Sequence, residues 1–473
     1  MSFLGVETKV MVIMLISLVV IATQACVGVF VDDMLLVSKP SPATTHQCLT
    51  NHASANLQTF FRKVRFSADG SRAFVGANIG QERTDMSFTE GDDELLIFGK
   101  DSASQQWTLI HSLKKPCGYS RYSLPFDVSG DGRAIVVGCP DSIFCATGVD
   151  FSKLYLNRTV AVIYEETIEG EWIATNVRRE TGLGAAFSVA ISDDGRTVAL
   201  ARPTGESARS SQAGTWVISR CDTNGWHHQG HTLINRQPDT SHGGSLALSG
   251  DGSTLVFSEI RNVKGAASVD LNTFSKDSSG EWRQEVPAKI DGSPNDYVCV
   301  ESMELSFDGS TLILSTSARG LQNVRVFTKS NGVWLPAPHD LLTLNEEFGI
   351  HALVVSISSG GDVALVCAAG RGHDSCRIYS RQPNSTEWLE EPRIYYAGSV
   401  KELSSRLRTI LVPACKIKGF FGSSAHLAGD GRAFIVAGER MSSYNSNDID
   451  NEEAIIFNLE HDPSQHRAQE QLV

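Results

Sequence analysis

Residues able to do chemistry are plentiful in this 473-residue chain, but few stand at the spacing that chemistry requires. No H-E-x-x-H, G-x-S-x-G or Walker phrase is present. Gly182-x-Gly184 lacks the third glycine and the preceding strand of a dinucleotide loop. His227 and His228 fall in a stretch that reads as an outer strand, where surface exposure is ordinary. The densest carboxylates are Asp448, Asp450 and Glu452, flanked by Asn447 and Glu453. Alternate acidic side chains can gather round a hard cation such as calcium. The glycine and the terminal bidentate glutamate of an EF-hand loop are missing, however, so the expectation is a solvated acidic loop and no metal or cofactor.

The ten cysteines include two close pairs, Cys139–Cys145 and Cys367–Cys376, that invite local disulfides. No C-x-x-C occurs, which removes zinc-knuckle and thioredoxin-like readings. Two sequons, at Asn157 and Asn384, are candidate glycosylation sites. Both features presuppose export, and the N-terminus supplies a reason to expect it. Lys9 precedes the apolar run Val10 to Ala22, with small residues at Ala22 and Ala25. That run is short for a bilayer span and matches a secretory signal over 1–25. The alternative is an uncleaved anchor continuing to Val31, which would make the chain an N-terminally anchored membrane protein. The expected location is therefore secreted and extracellular, with membrane contact only through that segment. A net charge of −13 argues against nucleic acid as a partner.

Chemistry needs a scaffold, and the scaffold is a repeat. One phrase recurs seven times, as in RFSADGSRAFVG, DVSGDGRAIVVG and HLAGDGRAFIVA. Its glycines are Gly70, Gly132, Gly195, Gly252, Gly309, Gly361 and Gly431, 52 to 70 residues apart. Apolar residues run on both sides of an Asp-Gly tip, which marks a β-hairpin. Glycine supplies the positive φ of the turn without steric cost. A serine three residues earlier is placed to bond the turn backbone. A third strand follows, then a polar turn, then a fourth strand led by Trp107, Trp172, Trp226, Trp282, Trp334 or Trp388.

Seven such units predict an all-β fold: a single seven-bladed β-propeller of four-stranded antiparallel blades over 26–473, ending in a polar tail at 461–473. The seventh unit lacks its tryptophan strand. The segment Val29 to Lys39 reads as a strand and is expected to fill the gap, closing the ring from the N-terminus.

Blade three, from Gly184 through Gly195, and blade seven, from Phe421-Gly422 through Gly431, resemble the FG-GAP repeat of integrin-α-like propellers. The resemblance covers the chain from about residue 55 and implies an extracellular recognition module. It does not extend to calcium, because the Ser-x-Asp-Gly turns are too short and too poor in carboxylates to cage that ion.

In such blades the loops between second and third strands share a face with the links between blades. These segments vary most in length here, so a ligand site is expected on that face near the central channel. The polar candidates are Arg121, Arg202, His242, Arg319, Arg371 and Arg440. The leading expectation is a non-catalytic module for adhesion, matrix or ligand binding, with an extracellular protein or glycan as partner. A secreted enzyme acting on glycans or peptides at the channel mouth is the first alternative, and a structural surface component the second.

Overall fold

The computed structural model describes residues 44–49, 58–80, 92–114, 125–139, 159–178, 188–202, 214–221, 225–233, 240–263, 266–294, 298–318, 321–345, 350–370, 375–382, 385–391, 393–396, 409–412, 420–439 and 454–459. The chain forms seven antiparallel sheets arranged as the blades of a propeller. Blade 1 contains Gln58–Phe66, Arg72–Gly80, Asp92–Lys100 and Trp107–Lys114, in chain order from the channel outward. The inner strands of blades 2 to 7 are Phe126–Val128, Ser188–Ile191, Thr240–Leu248, Val298–Leu305, Ile350–Ile357 and Phe420–Leu427. In blades 4, 5 and 6 the outer strand is broken into two pieces that pair with the same third strand. Blade 6 carries one more strand, Thr409–Val412, parallel to Arg393–Tyr396.

The blade-seven gap is filled from the N-terminus, but by Thr44–Leu49 rather than by Val29–Lys39, which lies outside the described residues. Thr44–Leu49 pairs antiparallel with Ala454–Leu459. Two features of this segment explain its place. Leu49 is buried among Val64, Phe66 and Trp107 of blade 1. The Gln47 amide donates to the Trp107 carbonyl at 3.0 Å and accepts from the Trp107 N–H at 2.9 Å. The first blade is thereby clasped to the last.

The repeated phrase folds as its residues dictate. All seven turn glycines have φ between 65° and 71°. In blade 4, Ser249 Oγ donates to Asp251 at 2.6 Å and accepts from the Thr254 N–H at 2.8 Å. The same exchange recurs at Ser129, Ser192 and Ser306. Blade 6 lacks the aspartate before its glycine, and Asp362 takes over, accepting from Ser358 Oγ at 2.7 Å.

Each turn also packs on its predecessor. A Cβ added at Gly309 would lie 2.6 Å from the Thr254 side chain of blade 4. Along the turn end of the channel, backbone bonds pass from blade to blade: Gly130 N–H to Asp193 at 2.9 Å, Asp193 N–H to Gly250 at 2.8 Å, Phe307 N–H to Ser359 at 2.9 Å.

At the periphery the tryptophans seal the joints. Trp334 Nε1 donates to Thr273 Oγ1 of blade 4 at 2.8 Å. Lys329 lies over the Trp334 ring and reaches Glu285 at 2.8 Å. Lys276 and Arg381 repeat the arrangement, each over its own blade's tryptophan and bonded to a threonine of the preceding blade.

Of the expected disulfides, Cys367–Cys376 is formed across directly paired strand positions. Cys139 is buried and disulfide-bonded, while Cys145 lies outside the described residues. Asn157, Asn384 and the Asp448, Asp450, Glu452 cluster also lie outside them.

The two kinds of glycine separate cleanly on substitution. Gly309→Ala should cost about 2–4 kcal/mol, from left-handed strain plus overlap with Thr254. Gly280→Ala, at φ 84° with open space around it, should cost only about 1 kcal/mol. Urea unfolding of both variants measures the difference.

Candidate functional site

Counting five residues back from each turn glycine gives Arg65, Asp127, Ala190, Ala247, Glu304, Ser356 and His426, one from every blade. These positions share the inner face of the inner strands. Their neighbours, such as Val64 and Phe66, turn away into the joints between blades. All but Ser356 line a central cavity of roughly 730 Å³, counting the solvent at its mouth.

The ring residues work as ties. Asp127 Oδ2 accepts from the Ile191 N–H of blade 3 at 3.0 Å. Glu304 Oε2 accepts from the Ile357 N–H of blade 6 at 3.1 Å. Ser356 Oγ accepts from the Leu427 N–H of blade 7 at 3.0 Å. His426 Nδ1 accepts from the Phe66 N–H of blade 1 at 3.1 Å. In each case the acceptor is a side chain of one blade and the donor is the next blade's backbone, four residues before its turn glycine. A second tier uses Ser424, whose Oγ accepts from the Val64 N–H at 3.0 Å.

An ion pair and a histidine–carboxylate hydrogen bond complete the ring. Arg65 Nε lies 3.1 Å from Asp127 Oδ1. His426 Nε2 lies 3.0 Å from Glu304 Oε1. Since Nδ1 of His426 already accepts, Nε2 carries the proton and donates it to Glu304. Burial alone would raise the Glu304 carboxyl. The His426 hydrogen bond, with the Arg65 charge and Ser356 adding, outweighs it and holds that carboxyl below its ordinary value.

Two groups stand apart. Asp193 lies at the turn end of the channel, its side chain held against Gly130 and Gly250, with the Phe307 ring against the same side of Gly250. Phe307 is 45% exposed, an unusual aromatic at a channel mouth. Burial pushes the Asp193 carboxyl up to about 6, with Asp127, Glu304, Asp194 and Asp251 adding repulsion. Lys63 projects from the channel face two residues before Arg65, its Nζ 5.6 Å from the Phe126 ring centre. Burial drives its ammonium down to about 7, with Arg65 adding to the effect.

Of the candidates named from sequence, Arg202 and His242 lie among the described residues. Arg121, Arg319, Arg371 and Arg440 lie outside the described residues. Arg202 ends the second strand of blade 3, opposite Gly214. His242 lies in the inner strand of blade 4, opposite Glu259. Glu259 is in turn opposite Asp270, and Asp270 opposite Lys289. Strand register therefore aligns His242, Glu259, Asp270 and Lys289 in one row across blade 4. Glu259 and Asp270 are buried, and Asn272 Nδ2 donates to Glu259 at 2.9 Å. Among the described residues no group of three or more potential ligands could hold a metal ion.

No established protein family matches this sequence, and no curated protein matches it. Solved structures do. The β-propeller domain of Cps50 (Swd1) from Myceliophteria thermophila is similar at 11% identity, over 88% of this chain and 100% of that one, with a TM-score of 0.50. The periplasmic gluconolactonase PpgL of Pseudomonas aeruginosa is similar at 15% identity over 73% and 86%, with a TM-score of 0.46. The Dos1 propeller is similar at 10% identity over 88% and 95%, with a TM-score of 0.44. Identities this low establish the propeller fold alone.

The Asp193 shift fixes a sign. The folded carboxyl titrates above its unfolded value, so its charge opposes folding as pH rises from about 4 through about 6. Asp193→Asn should stabilise the fold by about 1–3 kcal/mol at pH 7.5 and change little at pH 4. Unfolding midpoints of the two proteins at both pH values test this.

Proposed function

We propose that the chain is an extracellular recognition propeller that binds a protein or glycan through its long-loop face. One observation carries this reading: the ring of ionisable channel groups is taken up in tying blade to blade. Asp127, Glu304 and His426 each accept a backbone N–H from the next blade. A carboxylate fixed in that way serves the scaffold and is poorly placed to exchange protons with a substrate. A rigid ring with variable loops on one face is an arrangement suited to binding. The FG-GAP-like phrases, the apolar N-terminal run and the Cys367–Cys376 disulfide support an exported module of this kind.

A second reading, a secreted enzyme acting on glycans or peptides at the channel mouth, is favoured by Asp193. A carboxyl that titrates near 6 beside an exposed phenyl ring suits a general acid.

The secreted protein, displayed against arrays of extracellular proteins and glycans, distinguishes the two. Specific binding that Arg202→Ala or His242→Ala weakens about tenfold, at unchanged unfolding temperature, is the expected result. Turnover of a glycan or peptide that Asp193→Asn abolishes, with no array binding, would replace the first reading by the second.

A further inference from the structure

The turn end of the channel is the face opposite the long loops, and two side chains there are unlike their counterparts. Two residues before its turn glycine, each blade places one residue at this mouth, and five of the seven are glycine, alanine or serine. The exceptions are Asp193 of blade 3 and Phe307 of blade 5, and both line the central cavity. Gly250 of blade 4 stands between them. A Cβ built there would lie 2.8 Å from Asp193 Oδ2 and 2.5 Å from Phe307 Cδ2, so the carboxylate and the ring edge converge on one spot. Their backbones are fixed by the ring: the Asp193 N–H donates to the Gly250 carbonyl at 2.8 Å, and the Phe307 N–H to that of Ser359 at 2.9 Å. Other carboxylates nearby are occupied. Asp194, Asp251 and Asp308 each accept from the serine of their own turn, and Asp127 pairs with Arg65. Among the described residues, the Asp193 side chain makes no hydrogen bond and no ion pair. It is half-buried and Phe307 is exposed, so both are reachable from solvent.

We propose that Asp193 and Phe307 form a binding site for an alkylammonium group, carried by a free amine or by the lysine side chain of a partner. The carboxylate accepts the ammonium N–H bonds, and the ring supports the methylene stem, its π face adding attraction for the charge. A hard metal ion fits poorly, because a phenyl ring gives it no ligand and one carboxylate leaves most of its coordination open. The surroundings favour a cation. Asp194 of the same turn, Asp251 of blade 4, Asp127 of blade 2 and Glu304 of blade 5 all bear on Asp193 and oppose a further negative charge there. The cations of the cavity do not answer it, since Arg65 is paired with Asp127 and His426 donates to Glu304. A bound ammonium relieves that repulsion. The inference does not depend on what the long-loop face binds.

The folded full-length protein is titrated with n-butylamine, with Nα-acetyl-lysine methylamide and with n-butanol, and binding is followed by saturation-transfer NMR. At pH 7.5 the amines, which are protonated, should bind with Kd about 1–10 mM, and the alcohol should not. Binding of one amine alone supports the site and shows whether it takes a free amine or a side chain. Asp193→Asn should weaken binding at least about tenfold and Phe307→Ala about threefold, with both variants shown to be folded by their unfolding midpoints. At pH 5 about one Asp193 carboxyl in ten stays ionised, so binding should weaken about tenfold, an effect absent from Asp193→Asn. Equal binding of butanol, amine binding that either substitution leaves intact, or no amine binding at about 50 mM would each overturn the proposal.

Discussion

The inner strands of a propeller cannot pair with one another, and the rest of this structure answers to that constraint. Each inner strand bonds outward to its own blade, so its inward N–H groups face a channel instead of a neighbouring strand. A buried N–H left without an acceptor costs about 1–3 kcal/mol. Here the acceptors are side chains of the preceding blade, of three chemical types: carboxylates at Asp127 and Glu304, an imidazole at His426, and a hydroxyl at Ser356. Their common property is a lone pair at the right height. At the turn end the strands come close enough for backbone to bond backbone, and small residues such as Gly130 and Gly250 make that approach possible.

The same division of labour holds outward along each blade. Between the channel and the rim the joints are apolar, with Phe74, Phe126, Phe257 and Phe434 fully buried. At the rim the joint is polar again, closed by a tryptophan and a cation that reach the preceding blade. Burying the hydrocarbon stem of lysine or arginine against an indole while its charge meets a neighbour suits a surface seam. Closure of the ring follows the same logic at a different place. Blade 7 has no tryptophan strand of its own, and the Gln47 side-chain amide makes a pair of hydrogen bonds to the backbone of Trp107 instead.

How much of this is legible in the sequence depends on the range of the interaction. The turns are local, so the hairpin phrase announces itself seven times, in five copies with both the Asp-Gly and the earlier serine, and the order of strands follows from it. The blade-seven partner is not local. Val29–Lys39 is the more apolar segment and attracts the assignment, yet the outer slot takes Thr44–Leu49, where Leu49 reaches the core and Gln47 bonds the next blade. The channel ring is invisible by motif because its members are unlike one another. A signal does exist: the same register position, five before each glycine, gives Arg, Asp, Ala, Ala, Glu, Ser and His. Strand positions that are polar where an adjacent register is uniformly apolar mark an inward face that must accept hydrogen bonds. The row from His242 to Lys289 is hidden for the same reason, since only the pairing register brings those four residues into line.

The ring also explains why charge in the channel is a poor guide to function on its own. Asp127 accepts a neighbouring N–H and pairs with Arg65, while Glu304 accepts a neighbouring N–H and the His426 ring proton, and those contacts keep Glu304 ionised despite burial. Removing one partner would strand a buried charge, which is far more costly than the net worth of the pair. Such residues are held in place by closure and need no ligand to account for them. The test is whether a polar group has a structural partner. Asp193 is perturbed by like charges and by burial, with no tie among the causes of its shift. Lys63 is perturbed by burial and by Arg65 in the same way. The scaffold therefore bears the cost of two misplaced charges that it does not use, one at the turn mouth and one deeper in the channel. A fold free to place alanine at either position, as it does at Ala190 and Ala247, has kept a carboxyl and an amine instead.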